Sequence, residues 1–523
     1  MLIVTAQFPD PEVHPNLYYY HPPTPFPSRP VITADVCVYG ATAAGVVAAI
    51  ALRKRGRSVV ILNPSRFVGG MTSGGLSFTD TGVQAVIGGL SREFYRECGS
   101  HYGKSEEFKF EPHVAERVLL EWLVEHQVTV YHAQFVDKVE MKGQVIKRVM
   151  CTSGMTVDAR AFIDCSYEGD LMARAGVKYT VGRESNSVYN ETLNGVQVRN
   201  LHQFKNDIKI DPYIVEGNPA SGLLPGIDPA PLGATGSGDS RVQAYNFRMC
   251  LTQFVPNQRK AVKPISYNKA NYALVTRLLK TKYNEWFGKF DPIVMNKVDH
   301  NNHGAVSTDF IGGSDRWPEA SYAEREVIFQ QHVSWQAGWY HYLSSEGDVP
   351  DTISLRMSGY KMCLDEFPRT GGWSHQLYIR EARRMVSDAV LTERECKGTR
   401  VFRDSVGMGS YNMDSHNCRR FVDAAGFVRN EGDVQVGVKP YPVSYRCIVP
   451  RTGYCTNIWV PIALSASHIA YGSVRMEPVF MVLAESAAIA VDFALDKGTP
   501  SQAVPYSALR PRLAAAGQVL QSP

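Results

Sequence analysis

Two short runs of apolar, largely β-branched residues stand near the start of the chain, Val36 and Val38 in one and Val59, Val60, Ile61 and Leu62 in the other. Strands that are apolar on both faces lie inside parallel sheets, and the alanine- and valine-rich stretch between the runs has the length of one helix. The pattern predicts a strand–turn–helix–strand unit. Farther on, Glu111-Pro112-His113 opens an amphipathic helix, with proline in its first turn and Val114, Val118, Leu119, Trp122 and Leu123 on one face. Apolar runs at 128–131, 135–139, 145–150 and 155–157 are punctuated by the Lys142-Gly143 and Ser153-Gly154 turns. They predict a strand followed by a small β-meander inserted into a doubly wound sheet. Residues 161–164 read as a return strand that runs into the Gly169-Asp170 turn. The last strongly apolar stretch, 479–495, follows Pro478 and carries Ala484, Ser486, Ala487, Ala488 and Ala490, which suit a closely packed helix.

At 523 residues the chain is long enough for two or three lobes, and 44% hydrophobic with 20% charged residues is the balance of an ordinary globule. A net charge of +4 is small for this length, so neither nucleic acid nor an anionic membrane is expected as a partner. Glu485 and Asp492 interrupt the stretch 479–495, so no membrane span is expected. The first thirty residues lack a basic start followed by an apolar core, and no secretory signal is expected. Their proline and tyrosine content predicts an irregular arm packed on the body or on a partner. Ten cysteines without a C-x-x-C pair argue against a dithiol centre and a zinc site, and no metal is expected. They are expected as buried thiols in a reducing compartment, the cytoplasm.

Residues 40–45, Gly-Ala-Thr-Ala-Ala-Gly, make the turn of the first unit. In G-x-G-x-x-G the first glycine makes the turn, the second lets backbone approach a pyrophosphate, and the third lets helix pack on strand. Gly40 and Gly45 hold the first and third places, and Thr42 stands in the second, where its hydroxyl can donate to a phosphate. Ala43 and Ala44 open the helix, whose free N–H groups and positive dipole end favour an anion. Asn63 ends the second strand where an acidic residue ordinarily holds the adenosine ribose, and Pro64 and Arg66 follow it. A second cluster, Gly69-Gly70-Met71-Thr72-Ser73-Gly74-Gly75, leaves N–H groups free to approach phosphates or a flat ring. An ordinary strand-to-helix turn explains the first glycines alone; the two clusters in this context point to FAD rather than to a bare nicotinamide-binding unit. Further cofactor contacts are expected from Val136 in the meander and from Cys165, Ser166 and Asp170 after the return strand. Glu477 and Val479 complete the set, since the positive end of the last helix can face the flavin's pyrimidine edge.

The segments YGATAAGVVAAI, GGMTSGGLSFTDTG, FEPHVAERV, FIDCSYEGDLMARAGVKYTVGRES, VQAYNFRMCLT, QLYIREARRM, GSYNMDSHNCRR and SASHIAYGSVRMEP carry a resemblance from about residue 33 to the C-terminus. The chain resembles the FAD-dependent oxidoreductases loosely labelled xanthan-lyase-like. That resemblance implies an α/β fold: a Rossmann-like FAD-binding domain of glutathione-reductase type with a β-meander and an inserted α+β substrate domain. The expected division is an arm at 1–32, FAD-binding segments at 33–175 and 451–523, and a substrate region at 176–450. Thr42, Asn63, Ser374 and Ser444 depart from what related chains tend to carry.

Flavin supplies a two-electron sink, which leaves the protein to orient a C–H bond and manage protons. A base near a hydroxyl is needed, and histidine titrates near neutrality. His468 is the first candidate, because the third FAD segment should place it beside the flavin; His416, two residues after Asp414, is the second. Arg380 or Arg475 can hold an oxyanion or the reduced flavin's charge, and Tyr378 stands in the same polar cluster as Arg380. Innocent readings stand beside these: residues 380–384 as a solvated helix face, Arg475 with Glu477 as a surface pair, each histidine as a structural hydrogen-bonder. Three functions compete. One is an FAD oxidase or dehydrogenase acting on CH–OH or CH–CH of a polar small molecule, with O2 or another electron acceptor. The second is a monooxygenase using NAD(P)H, and the third a non-redox lyase or other protein with structural FAD. The sequence specifies no oligomeric state.

Overall fold

The structure is a computed structural model and describes residues 9–23, 31–205, 207–260 and 262–522. Of the expected arm, residues 1–8 and 24–30 lie outside the described residues. β1 (Val31–Tyr39) runs into α1 (Ala43–Arg53) and returns as β2 (Val59–Asn63), with Val36 to Tyr39 in parallel register against Val59 to Leu62. Val36, Val38, Ile61 and Leu62 are fully buried, which is why both strands read as continuous apolar runs.

After the helix Pro112–Glu125 come β3 (Thr129–His132), β4 (Val136–Lys142), β5 (Val145–Cys151) and β6 (Thr156–Asp164). The sheet order is β3-β2-β1-β6-β5-β4, parallel from β3 to β6 and antiparallel through β5 and β4. The meander therefore extends the parallel sheet. One expectation is corrected here: residues 155–157 and 161–164 belong to a single strand, β6, rather than to two. The polar residues between them do not break it, because Asp158 pairs with Arg148 at 2.6 Å and Arg160 with Asp35 at 3.0 Å on the open face. The outer edge of β6 is shared: its first half pairs with β5, while Phe162 and Ile163 pair with the short strand Ile458–Trp459. That pairing returns the C-terminal segment to the middle of the sheet.

The helix Glu477–Lys497 packs along α1, and both are buried on every side over most of their length. Such helices belong to a core. Glu477–Lys497 is long and apolar enough to cross a membrane, yet 94% of its most apolar window is buried inside this fold. Its charges are answered locally: Glu485 accepts from Leu90 N–H at 2.8 Å, and Asp492 pairs with Arg57 at 2.7 Å. All ten cysteines are buried and unpaired.

The central region adds an antiparallel sheet ordered Lys361–Met362, Met249–Thr252, Lys297–His300, Phe290–Pro292, and the long helix Tyr322–Ser345. Trp286, Trp339 and Tyr342 form a core of its own, whereas Tyr245, Phe247, Trp317 and Phe329 join the same core as α1. A buried ionic joint adds to this continuity. Asp170 accepts from Arg325 at 2.7 and 3.0 Å and from Arg383 at 2.8 Å, and these cations hold its carboxyl well below the usual range against the opposing effect of burial. Asp170→Ala strips two buried guanidinium groups of their shared anion, so unfolding in denaturant should show a loss of about 3–5 kcal/mol. A loss under about 1 kcal/mol would equate the joint with an exposed pair.

Candidate cofactor and active site

Gly40 follows β1 with φ +97°, and a Cβ there would lie 2.8 Å from the Cys165 carbonyl oxygen, so only glycine fits between β1 and β6. Thr42 is the N-cap of α1: its Oγ1 accepts from Gly45 N–H at 3.1 Å and donates to the Cys165 carbonyl at 3.0 Å. The single hydroxyl proton is thus committed within the chain, and the expectation that it donates to a phosphate is corrected. The N–H groups of Ala43 and Ala44, in the first turn of α1, have no acceptor within their own helix. Asn63 is also turned inward. Its Oδ1 accepts from Ala41 N–H at 3.0 Å and its Nδ2 donates to the Phe67 carbonyl at 2.8 Å, so it shapes the glycine turn instead of offering a free amide to a ribose.

Gly69 N–H donates to the Ala41 carbonyl at 2.7 Å and ties the second glycine cluster to the first. At Gly70, with φ +57°, a Cβ would strike the Tyr167 hydroxyl. A cleft runs between the clusters, lined by Gly40, Thr42, Asn63, Pro64, Arg66, Gly70 and Ser166, all of them expected cofactor residues. Its walls also hold His375, which the sequence offers as a substrate contact, and residues that sequence reasoning missed or left unassigned: Tyr18, Tyr19, Phe67, Tyr167, Glu168 and Leu377.

The other expected contacts lie behind that wall. Tyr167 accepts from Met71 N–H at 2.8 Å and donates to Glu477 at 3.0 Å, and Thr72 also donates to Glu477. Burial pushes the Glu477 carboxyl up to about 7 against the pull of those two hydroxyls. Glu477 therefore braces the second glycine cluster from within the core and is no surface partner of Arg475. Gly74 and Gly75 press against Gln376 and the Arg248 carbonyl. The N–H and carbonyl of Val136 are taken by the Tyr39 and Tyr322 hydroxyls, the Cys165 carbonyl by Thr42, and Asp170 by its arginines. Val479 is core.

Past Leu377 the chain enters a buried polar network. The guanidinium groups of Arg248, Arg380 and Arg475 lie 5.6, 4.6 and 5.8 Å from the centre of the Tyr378 ring, and Arg475 donates to the Tyr378 hydroxyl at 3.0 Å. Each arginine has its own carboxylate: Asp299 at 2.7 Å, Asp309 at 2.9 Å and Asp414 at 2.9 Å. His416 stands between two of these, with Nδ1 3.0 Å from Asp309 and Nε2 3.4 Å from Asp414. Burial and the Arg380 cation pull the imidazole's pKa down, but Asp414 and Asp309 outweigh them and raise it. Asp414 is held well below the usual carboxylate range, since His416, Arg475 and Arg380 outweigh the effect of burial. Residues 380–384 are not a solvated helix face: Arg380, Glu381 and Arg384 are buried in largely extended chain.

His468 opens the short helix His468–Val474 with both ring nitrogens engaged, Nδ1 with Glu381 at 2.8 Å and Nε2 with the Ser415 hydroxyl at 3.1 Å. It reaches the network through Ser415, the neighbour of His416. Asp299 stands in a polar cluster that the sequence offers for substrate contact but anchors Arg248 instead, and Asp309 carries no motif, so its role becomes visible only in three dimensions.

FAD fits the residues present. The cleft between the two glycine clusters is lined by expected cofactor residues from both, and the buried Nε2 of His375, a wall residue of the cleft, has no partner among the described residues. Among solved structures, the L-proline dehydrogenase from P. horikoshii is similar at 13% identity over 30% of this chain and 59% of that one, with a TM-score of 0.24. Thermovibrio ammonificans THI4 is similar at 21% identity over 28% and 64%, TM-score 0.22, and the L-amino acid deaminase from Proteus vulgaris at 16% over 32% and 54%, TM-score 0.23. The matched part spans less than two thirds of each of these proteins, and at such scores none of them decides the function. Comparison with curated proteins returns no match. The family model for FAD dependent oxidoreductases, by contrast, matches residues 35–513, nearly the whole chain, and this protein belongs to that family of flavoproteins, with FAD as its cofactor.

Proposed function

We propose that the protein moves a hydride from a CH–OH or CH–CH group of a polar small molecule to flavin N5, with His416 as its acid–base residue. The observation that carries this reading is the Asp309–His416–Asp414 array set beside Tyr378 and Arg475. Bound FAD supplies the two-electron acceptor, which O2 or another oxidant regenerates.

The chain's own residues bind and move protons. Ala43 and Ala44 offer the N–H groups for a pyrophosphate, and the second glycine cluster lets backbone approach closely. A hydrogen held on Nδ1 by Asp309 selects the tautomer whose Nε2 accepts a proton. Nε2 takes the substrate hydroxyl proton, and Asp414, 3.4 Å away, stabilises the imidazolium that forms. Arg380 fixes Asp309 and donates to Asn302 at 3.1 Å. Tyr378 accepts from Arg475 and so keeps its own O–H for a substrate oxygen. His468 positions Ser415 next to this array. Buried, unpaired thiols suit a reducing cytoplasm.

Two outcomes follow. His468→Gln should lower the melting temperature yet leave anaerobic flavin reduction within about tenfold of wild type, short of the ~10²–10⁴-fold loss of a general base. Because the carboxylates raise the His416 pKa, the proton-accepting form fills only above ~6.5, and reduction should speed up as pH rises through that raised value. Asp414→Asn removes one of those anions and should move the limb to lower pH; stopped-flow traces across pH check both. Anaerobic bleaching of the bound flavin by a panel of alcohols, amino acids and NAD(P)H tests the reading as a whole. Bleaching by an alcohol supports it, whereas bleaching by NADPH alone would replace it with monooxygenation.

A further inference from the structure

Residues 9–23 precede the span of the family match, 35–513, which is therefore silent about them. They are nonetheless built into the body at two sides. On the central helix Tyr322–Ser345, Gln330 Nε2 donates to the Leu17 carbonyl at 2.8 Å, and Glu326 accepts from the N–H groups of Tyr19 and Tyr20 at 2.7 and 2.8 Å. On the cofactor domain, the Arg66 guanidinium lies 3.7 Å over the Tyr18 ring, and the Tyr19 hydroxyl is 3.4 Å from Glu168. The arm thus bridges the cleft, and Tyr18 and Tyr19 are two of its walls.

The groups gathered there suit a flat heterocycle. His375 stacks on Phe67 at 3.9 Å and 10°, and its buried Nε2 has no partner among the described residues. Burial, with the Arg369 and Arg66 cations, pushes that imidazole down to about 3, so it is neutral and offers a hydrogen bond without charge. Asn63 ends β2 and Pro64, Ser65 and Arg66 follow it, the place where dinucleotide folds hold adenosine. Aromatic faces and an unsatisfied ring nitrogen at that end match a purine.

We propose that Tyr18 and Tyr19 are cofactor-site residues: the arm closes over the adenosine half of FAD, and the cofactor enters and leaves only when the arm undocks from Glu326 and Gln330. The proposal rests on FAD occupying the cleft, and its test separates the two ideas.

Full-length protein is loaded with FAD, and release is followed by flavin fluorescence on dilution. Tyr18→Ala should bind FAD roughly 5- to 100-fold more weakly, the worth of one base–aromatic stack, and Tyr18→Phe should restore the affinity. Glu326→Ala, whose carboxylate holds the arm and Gln330, should speed FAD release several-fold. In wild-type protein, FAD should also protect the bonds after Tyr18, Tyr19 and Tyr20 from chymotrypsin, a readout independent of any variant's folding. Wild-type affinity and release rate in Tyr18→Ala and Glu326→Ala, or cleavage unaffected by FAD, would overturn the arm's role while leaving the cofactor in place. Failure of the wild-type chain to take up FAD at all would overturn the cofactor reading and this one with it.

Discussion

Gly40→Val should give a folded protein that purifies without flavin and does not regain it on incubation with FAD. A β-branched residue at φ +97° lies outside the allowed backbone regions, and its Cβ would stand 2.8 Å from the Cys165 carbonyl oxygen. Strain of about 1–3 kcal/mol is relieved only if the turn between β1 and α1 opens. Opening it displaces Gly40, Ala41 and Thr42 from the cleft wall and unseats Gly69, which hangs on the Ala41 carbonyl. Gly56→Ala is the control: φ there is +79°, but nothing lies within 4 Å of the added carbon. That variant should cost about 1–2 kcal/mol and keep its FAD. Visible absorbance and far-ultraviolet circular dichroism measured together distinguish loss of cofactor from loss of fold. Full flavin occupancy in Gly40→Val would remove the glycine turn from the cofactor site.

His416→Gln should slow anaerobic flavin reduction by ~10²–10⁴-fold, the usual worth of a general base, with FAD affinity unchanged. The residue is buried among Asp309, Asp414 and Arg380 and does not line the cleft, so losing it removes proton transfer without touching the cofactor cradle. Glutamine can still hydrogen-bond to Asp309 but cannot accept a proton at neutral pH. A parallel change, Asp309→Asn, acts at one remove: it frees the imidazole tautomer and leaves Arg380 without its 2.9 Å partner. Its loss in rate should therefore be accompanied by a loss of stability, which His416→Gln should show far less.

The first βαβ unit is legible in the chain because Val36, Val38, Ile61 and Leu62 are buried and α1 is apolar on every side. Local pattern then coincides with tertiary environment. It misleads at β6, where Asp158 and Arg160 look like a break but sit in ion pairs on the open face of one strand. Thr42 and Asn63 stand at the expected positions, yet their side chains turn to Gly45, Cys165, Ala41 and Phe67, a choice made by neighbours that spacing does not reveal. The polar network is the least legible part. Asp309 lies 107 residues from His416, and Arg380 and Arg384 look solvent-bound until Asp309, Glu184 and Glu381 are folded against them. Charges so dense read as surface in one dimension; only mutual pairing lets them be buried. Tyr18 and Tyr19 belong to a segment without periodicity, and their place in the cleft wall depends on contacts to Arg66, Glu168 and Glu326 far along the chain.

The most direct trial of the account is the rate of anaerobic flavin bleaching by a reactive alcohol, followed from about pH 5 to 9 in wild-type protein and in His416→Gln. The account predicts a wild-type rate that climbs through an apparent pKa above the ordinary histidine value, and a variant that is slow and has lost that limb. An unchanged limb in His416→Gln at full rate would contradict it.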